Sequence, residues 1–335
     1  MKTLILGAND GFWCAPDRAY ERDIISGIEA WVFAMDGDHC NTLDATSELI
    51  NRYDLIIGNT NGGEYRPKLL ELQKSRKKGV RWVSMIEGCA TEYLAPDSTL
   101  KKIFDGSDLV NVINRHALEF FRSCTTTRCE YIGIPYPAAT IRSQFQPLER
   151  QDVWTPSNLY NAKSSFSSVL AALPVTIRIG KQCHGFFRKP IVTPQRKSLF
   201  SSFRPKEKAV EQPRSELLNS VVFHGEMGMG DYFKILSETA YAFVNLDHRY
   251  TWARDVLDCA ALQIPCIATR ATGHAENYFP ALTIPDEFSI AEARALLERL
   301  YADKEFYEQC AKVPIELLES LSHSNMKEKL LATLR

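Results

Sequence analysis

The sequence predicts an α/β fold built from two doubly wound, mostly parallel sheets. Three observations carry this. Short apolar runs of strand length alternate with segments of helical period, the pattern of helices laid over parallel strands. The alternation lapses into polar sequence between about residues 138 and 151 and then resumes, so the chain divides into two similar halves. Its 335 residues suffice for two medium domains, and 45% hydrophobic against 24% charged residues is the balance of an ordinary globular chain.

In the first half, residues 2–7 (KTLILG) form a strand that runs into the turn Ala8-Asn9-Asp10-Gly11-Phe12 and then a helix over about 18–27. The turn lacks the G-x-G-x-x-G spacing of a dinucleotide fingerprint, which argues against a nicotinamide enzyme. Residues 30–35 read as a second strand and 43–51 as a helix. A strand over 53–58 (YDLIIG) ends in the polar turn Asn59-Thr60-Asn61-Gly62-Gly63. A helix over 66–78 follows, then a strand over 80–86 that ends on Glu87-Gly88. A helix over 100–104, strand over 109–113, helix over 115–121 and strand over 130–134 complete about six strands. The interdomain linker is expected at about 138–151, where Pro147 interrupts the pattern.

The second half opens with a weak strand at 153–154, a loop over 156–163 and a helix over 164–173. Strands follow over 175–180 and 221–225, with a helix over about 231–240. The stretch from Tyr241 to Glu276 then reads strand, loop, helix, strand, loop. Residues 242–246 are an apolar run, 254–262 a helix stopped by Pro265, and 266–269 the next strand. Polar residues crowd the ends of both strands, beside a helix N-terminus whose free N–H groups favour an anion. A strand over 281–284, helices over 290–302 and 304–310, and a helical pair over 315–334 finish the chain.

The net charge of −1 gives no global pull toward nucleic acid. The nine cysteines are odd in number, irregularly spaced and lack a C-x-x-C, as expected of buried thiols in a reducing cytoplasm. No signal peptide is expected at the start, and no apolar run approaches the ~20 residues that span a bilayer. Residues 181–214 break the rhythm. They carry nine basic residues against Glu207 and Glu211, a local excess of seven, with four prolines and four phenylalanines interleaved. This is either a solvated insertion or a basic, aromatic arm for an anionic acceptor.

The segment Leu257-Asp258-Cys259-Ala260-Ala261-Leu262-Gln263-Ile264-Pro265, followed by a strand and by Thr272-Gly273-His274-Ala275-Glu276, resembles the donor-binding region of family 4-like retaining glycosyltransferases. These have the GT-B fold and use nucleotide sugars. The resemblance implies two Rossmann-like domains facing a cleft: an acceptor-side domain over 1–145 and a donor domain over 150–318. Residues 319–335 are then a helix crossing back to the first domain. Asp258 takes the place assigned to the ribose hydroxyls, Tyr250 stands where the family's first Glu is expected, and Ala253 replaces the loop glycine.

The implied reaction moves a sugar from a UDP- or GDP-linked donor to a hydroxyl, with retention, and with no cofactor or metal. The candidate catalytic residues are Glu87, Asp10 and His248. The donor candidates are Lys163, Arg254, Asp258, Tyr250, Trp252, Gly273 and Glu276, with Lys163 and Arg254 as cations for the leaving diphosphate. Asn9, Gly11 and Asn59 sit in first-half loops that face the acceptor. The expected acceptor is a glycan or lipid-linked carrier, which would place the protein in the cytoplasm or peripherally at the inner membrane surface. The alternative acceptor is a hydroxylated base in DNA, as phage-type DNA glycosyltransferases use. A catalytically degenerate sugar-nucleotide-binding module and a sugar-nucleotide epimerase stay open as rivals.

Overall fold

The computed structural model describes residues 1–8, 22–25, 27–86, 98–145, 152–156, 177–182, 221–245 and 250–335. Two six-stranded sheets organise them, with every strand pairing parallel. The first sheet comprises β1 (Thr3–Gly7), β2 (Asp38–Asn41), β3 (Leu55–Asn59), β4 (Arg81–Ile86), β5 (Leu109–Val112) and β6 (Cys129–Tyr131), in the order β2-β1-β3-β4-β5-β6. The second comprises β7 (Asp152–Pro156), β8 (Ile177–Gln182), β9 (Val221–Met227), β10 (Thr239–Val244), β11 (Cys266–Thr269) and β12 (Thr283–Ile284), in the order β12-β11-β10-β7-β8-β9.

β1, β3, β5, β10 and β11 are buried along their whole length. That is why they read as unbroken apolar runs: helices cover both faces of a parallel sheet. In each sheet the chain builds outward from one strand and then crosses back to start the other side. The strand order reverses between β1 and β3 in the first sheet and between β7 and β10 in the second. At such a reversal the connections leave in opposite directions and open a crevice at the carboxyl ends. The register fixes the neighbours there: Leu6 pairs with Gly58, and Tyr241 with Val153.

One sequence expectation needs correction. Residues Ala30–Met35 are a helix, not a strand. The run AWVFAM buries Ala30, Trp31, Ala34 and Met35, one helical stripe, and a short apolar run does not distinguish this from a strand. The second strand is instead Asp38–Asn41, a polar sheet edge with no apolar signal. The expected linker contains a helix, Ala138–Gln144, with Ile141 fully buried. Its Arg142 donates to Ala261 O at 2.8 Å, Ala260 O at 3.0 Å and Val313 O at 3.0 Å, so it ties the C-terminal end of the helix Arg254–Ala261 to the segment at Val313.

The last helix, His323–Thr333, crosses back to the first sheet. Lys329 Nζ donates to Ile132 O at 2.9 Å, while Arg128 and Arg81 donate to the terminal carbonyls of Thr333 and Leu334 at 2.8 and 3.2 Å. One apolar cluster runs from Ile5, Ile57 and Val83 through Ile134 and Tyr136 to Val244, Leu257 and Ile267, so the two halves share a core. Among the described residues no helix is long and apolar enough to cross a membrane.

Candidate active site

Residues that follow β10 and β11 meet the first lobe, where Thr251 O and Ala271 O both accept from Asn114. The helix Arg254–Ala261 starts just beyond β10. Its N-cap is Ala253, held at φ 44° and ψ 57°, the left-handed conformation that costs a non-glycine residue about 1 kcal/mol. A glycine occupies this place in the motif that the segment resembles, and the backbone keeps the glycine conformation although the residue has changed.

Four polar side chains lock this helix in place. Asp258 is fully buried. It accepts from Tyr136 Oη at 2.6 Å, Tyr232 Oη at 2.9 Å and Arg254 Nε at 3.3 Å. Burial, and then the charge of Asp258, push both phenols well above their ordinary range, so they stay protonated and donate. Arg254 is itself only 7% exposed and donates to Ile24 O in the first half at 3.2 Å.

Asp255 is the fifth member of this cluster; its Oδ1 accepts from Tyr232 Oη at 3.2 Å. Burial of the carboxyl, and then Asp258, raise its pKa to about 6. The folded protein therefore holds this proton more tightly than the unfolded chain does. That contribution to stability is complete only below about pH 4 and is lost as pH climbs to about 6. At neutral pH the ionised group costs roughly 2 kcal/mol, discounted for its partial exposure. Asp255→Asn is expected to exceed the parent by about that amount at pH 7 and to match it near pH 4. Paired urea titrations at the two pH values check this, and an unchanged difference between them would refute it.

A second cluster joins the halves where β5 ends. Asn114 Nδ2 donates to Thr251 O at 2.9 Å and to Ala271 O at 2.8 Å. Arg115 reaches Asn277 Oδ1 at 2.9 Å and Glu276 Oε2 at 2.5 Å. Glu276 also meets His116 Nε2 at 3.2 Å and Arg270 Nε at 3.0 Å. Burial lowers the pKa of His116 despite the carboxylate beside it. Tyr250 Oη donates to Asp286 Oδ2 at 3.3 Å, and Asp286 Oδ1 accepts from the Ala271 N–H at 2.6 Å. Trp252 lies edge-on to His274, with ring centroids 4.4 Å apart, and covers Gly133 so closely that a Cβ there would meet the indole at 2.9 Å. His274 is buried with no well-formed hydrogen bond to either ring nitrogen, and burial followed by the charge of Arg115 lowers its pKa to about 3, which keeps it neutral.

No protein-family model and no curated protein matches the sequence. Solved structures do match. HepE from Anabaena, in complex with UDP and glucose, superposes with a TM-score of 0.62 at 13% identity, covering 100% of this chain and 99% of that one. An α-glucosyltransferase in complex with UDP and a 13-mer DNA with a central A:G mismatch superposes at 0.59 and 11% identity, covering 99% and 98%. A UDP-forming α,α-trehalose-phosphate synthase from Burkholderia xenovorans gives 0.58 at 12% identity, covering 86% and 75%. The fold is GT-B.

Within the GT-B frame the predicted residues separate into four groups. Asn9, Asp10, Gly11, Glu87, Lys163 and His248 lie outside the described residues. Tyr250, Trp252, Gly273 and Glu276 come together with Asn114, Arg115 and His116 at the lobe junction. Arg254 and Asp258 face each other in the buried cluster. Asn59 ends β3 at the reversal in the first sheet, buried, with its Oδ1 accepting from Asn61 N at 2.9 Å. Sequence reasoning missed Asn114, Arg115, Tyr136 and Tyr232. Their partners lie 137, 161, 122 and 26 residues away, and no local pattern marks such pairs.

Proposed function

We propose that this chain is a glycosyltransferase that moves a sugar from a UDP-linked donor to a hydroxyl, with the donor held on the second lobe. The observation that carries the reading is the strand-order reversal between β7 and β10. At such a reversal a crevice opens at the carboxyl ends of the strands, and the helix Arg254–Ala261 follows the strand that borders it, which supports a donor site on this lobe. The GT-B neighbours that match end to end carry UDP.

In this reading the acceptor oxygen bonds to the anomeric carbon as the bond from that carbon to the diphosphate breaks. The hydroxyl proton passes to the departing diphosphate, on the same face, and configuration is retained. Lys163 and the N–H groups at the tip of the helix Arg254–Ala261 stabilise the charge that builds there. Tyr250 and the turn around Gly273 border the sugar. Glu87 and Asp10 serve the acceptor side, and His248 acts from the donor loop. Arg254 is assigned to holding Asp258 rather than to the diphosphate, because its charge is committed at 3.3 Å inside the core.

A DNA acceptor is the second reading. It is favoured by the DNA-bound neighbour that covers 99% of this chain and by the excess of seven positive charges in residues 181–214. A glycan or lipid-linked acceptor is the other outcome of the same assay.

Thermal shifts with UDP, GDP, ADP and CMP test the donor. UDP at a hundred times its Kd is expected to add about 2.7 kcal/mol, and the other nucleotides less. Incubation of labelled UDP-glucose with hydroxymethylated duplex DNA or with glycans then tests the acceptor. No shift with any nucleotide, together with no consumption of UDP-glucose, would overturn the assignment.

A further inference from the structure

We infer that Asn114 and Arg115, on the first lobe, are positioning residues that set the donor loops of the second lobe, so that donor affinity depends on apposition of the lobes. This rests on the donor site proposed above. Asn114 is 2% exposed and every polar atom of its side chain is used. Nδ2 carries two N–H groups, and each meets a carbonyl of a different loop: Thr251 beyond β10 and Ala271 beyond β11. Oδ1 accepts from the His116 N–H at 2.9 Å. Two carbonyl partners on one atom require that atom to be the donor, which fixes the amide's orientation. Gly273, at φ 71°, presses the turn onto the same amide; a Cβ there would lie 2.8 Å from Nδ2.

Arg115 extends the hold by one helical turn. Its fork bridges Glu276 and Asn277 in the helix Ala275–Tyr278. The neighbouring Arg270 shares the Glu276 carboxylate and ties it to the start of the same turn. The loop after β10 and the turn after β11 are thus both pinned to the end of β5, a strand of the other lobe. If the lobes part, Thr251 O and Ala271 O lose the amide that they share. The spacing of the two loops is then no longer set, and a ligand that touches both must order them itself, which weakens binding.

The test uses the full chain with UDP as probe. Asn114→Asp keeps the shape but turns the shared donor into an oxygen facing two carbonyls. Arg115→Gln, at a partly exposed site, spares the core, and Arg115→Lys retains a cation for Glu276. The expected result is a rise in the Kd for UDP of about tenfold or more for Asn114→Asp. A smaller rise is expected for Arg115→Gln, partly restored in Arg115→Lys. Backbone hydrogen exchange is expected to quicken in residues 250–253 and 270–277 while β1 and β3 stay protected. Folded variants that bind UDP as the parent does, with these loops equally protected, would overturn the inference. If the parent itself binds no nucleotide, the functional reading falls, and the exchange measurement alone decides the positioning role: unchanged protection in both variants refutes it.

Discussion

Replacing Arg254 by alanine is expected to lower stability by about 3 kcal/mol or more, since removing one partner of a buried pair leaves an uncompensated charge. The charge left behind is Asp258, which has no exposed surface. Two phenols would still donate to it, but neither carries the positive charge that the guanidinium supplies. The substitution also removes the bond to Ile24 O and the guanidinium that lies 5.5 Å from the Phe233 ring centroid, so the first lobe loses a tie to the second. Pairing Arg254→Met with Asp258→Asn is expected to restore much of the loss. Removing both charges avoids the stranded ion, and the new amide oxygen can still accept from a tyrosine. Urea denaturation of the two single variants and the double variant measures the coupling. A cost below about 1 kcal/mol for Arg254→Ala, combined with loss of UDP binding, would instead return Arg254 to the diphosphate role that the sequence pattern suggests.

That contrast shows what the sequence can and cannot reveal. The spacing from Pro265 back to Asp258 marks an acidic position on a helix behind a strand, and the structure puts the helix there. What Asp258 touches depends on Tyr136 and Tyr232, brought in by the segment after β6 and by the helix Met229–Ser237. Neither tyrosine sits in a pattern that names a partner. The sheets were legible because buried parallel strands are apolar on both faces. The edge strand Asp38–Asn41 was not, because one side is solvated and its sequence is polar. Ala30–Met35 was misread because six apolar residues satisfy both periods. The lobe junction was the least legible part. Asn114 looks like any polar residue after a strand, and its value comes from two carbonyls on the opposite lobe.

Trp252→Ala is expected to cost about 3 kcal/mol or more, the range for truncating a large buried aromatic. The sequence suggests Trp252 as a donor contact, because it precedes the helix tip. In the structure the indole is 5% exposed and fills the junction between His274 and Gly133. Gly133 has φ 97° and no side chain, so nothing on that strand end can move in to fill the space. Nε1 is buried without a hydrogen-bond partner, which means the residue contributes through packing rather than through its polar atom. Trp252→Phe separates the two roles. A phenyl ring keeps an edge toward His274 and removes the unpartnered N–H, so the expected loss is only about 1 kcal/mol, set by the smaller volume. UDP affinity is then expected to follow stability: strongly reduced in Trp252→Ala, because the lobes no longer hold the loops at Thr251 and Ala271 together, and close to the parent in Trp252→Phe. A stable Trp252→Phe protein that has lost UDP binding would show instead that the indole touches the nucleotide, and the junction would have to be redrawn as part of the donor pocket.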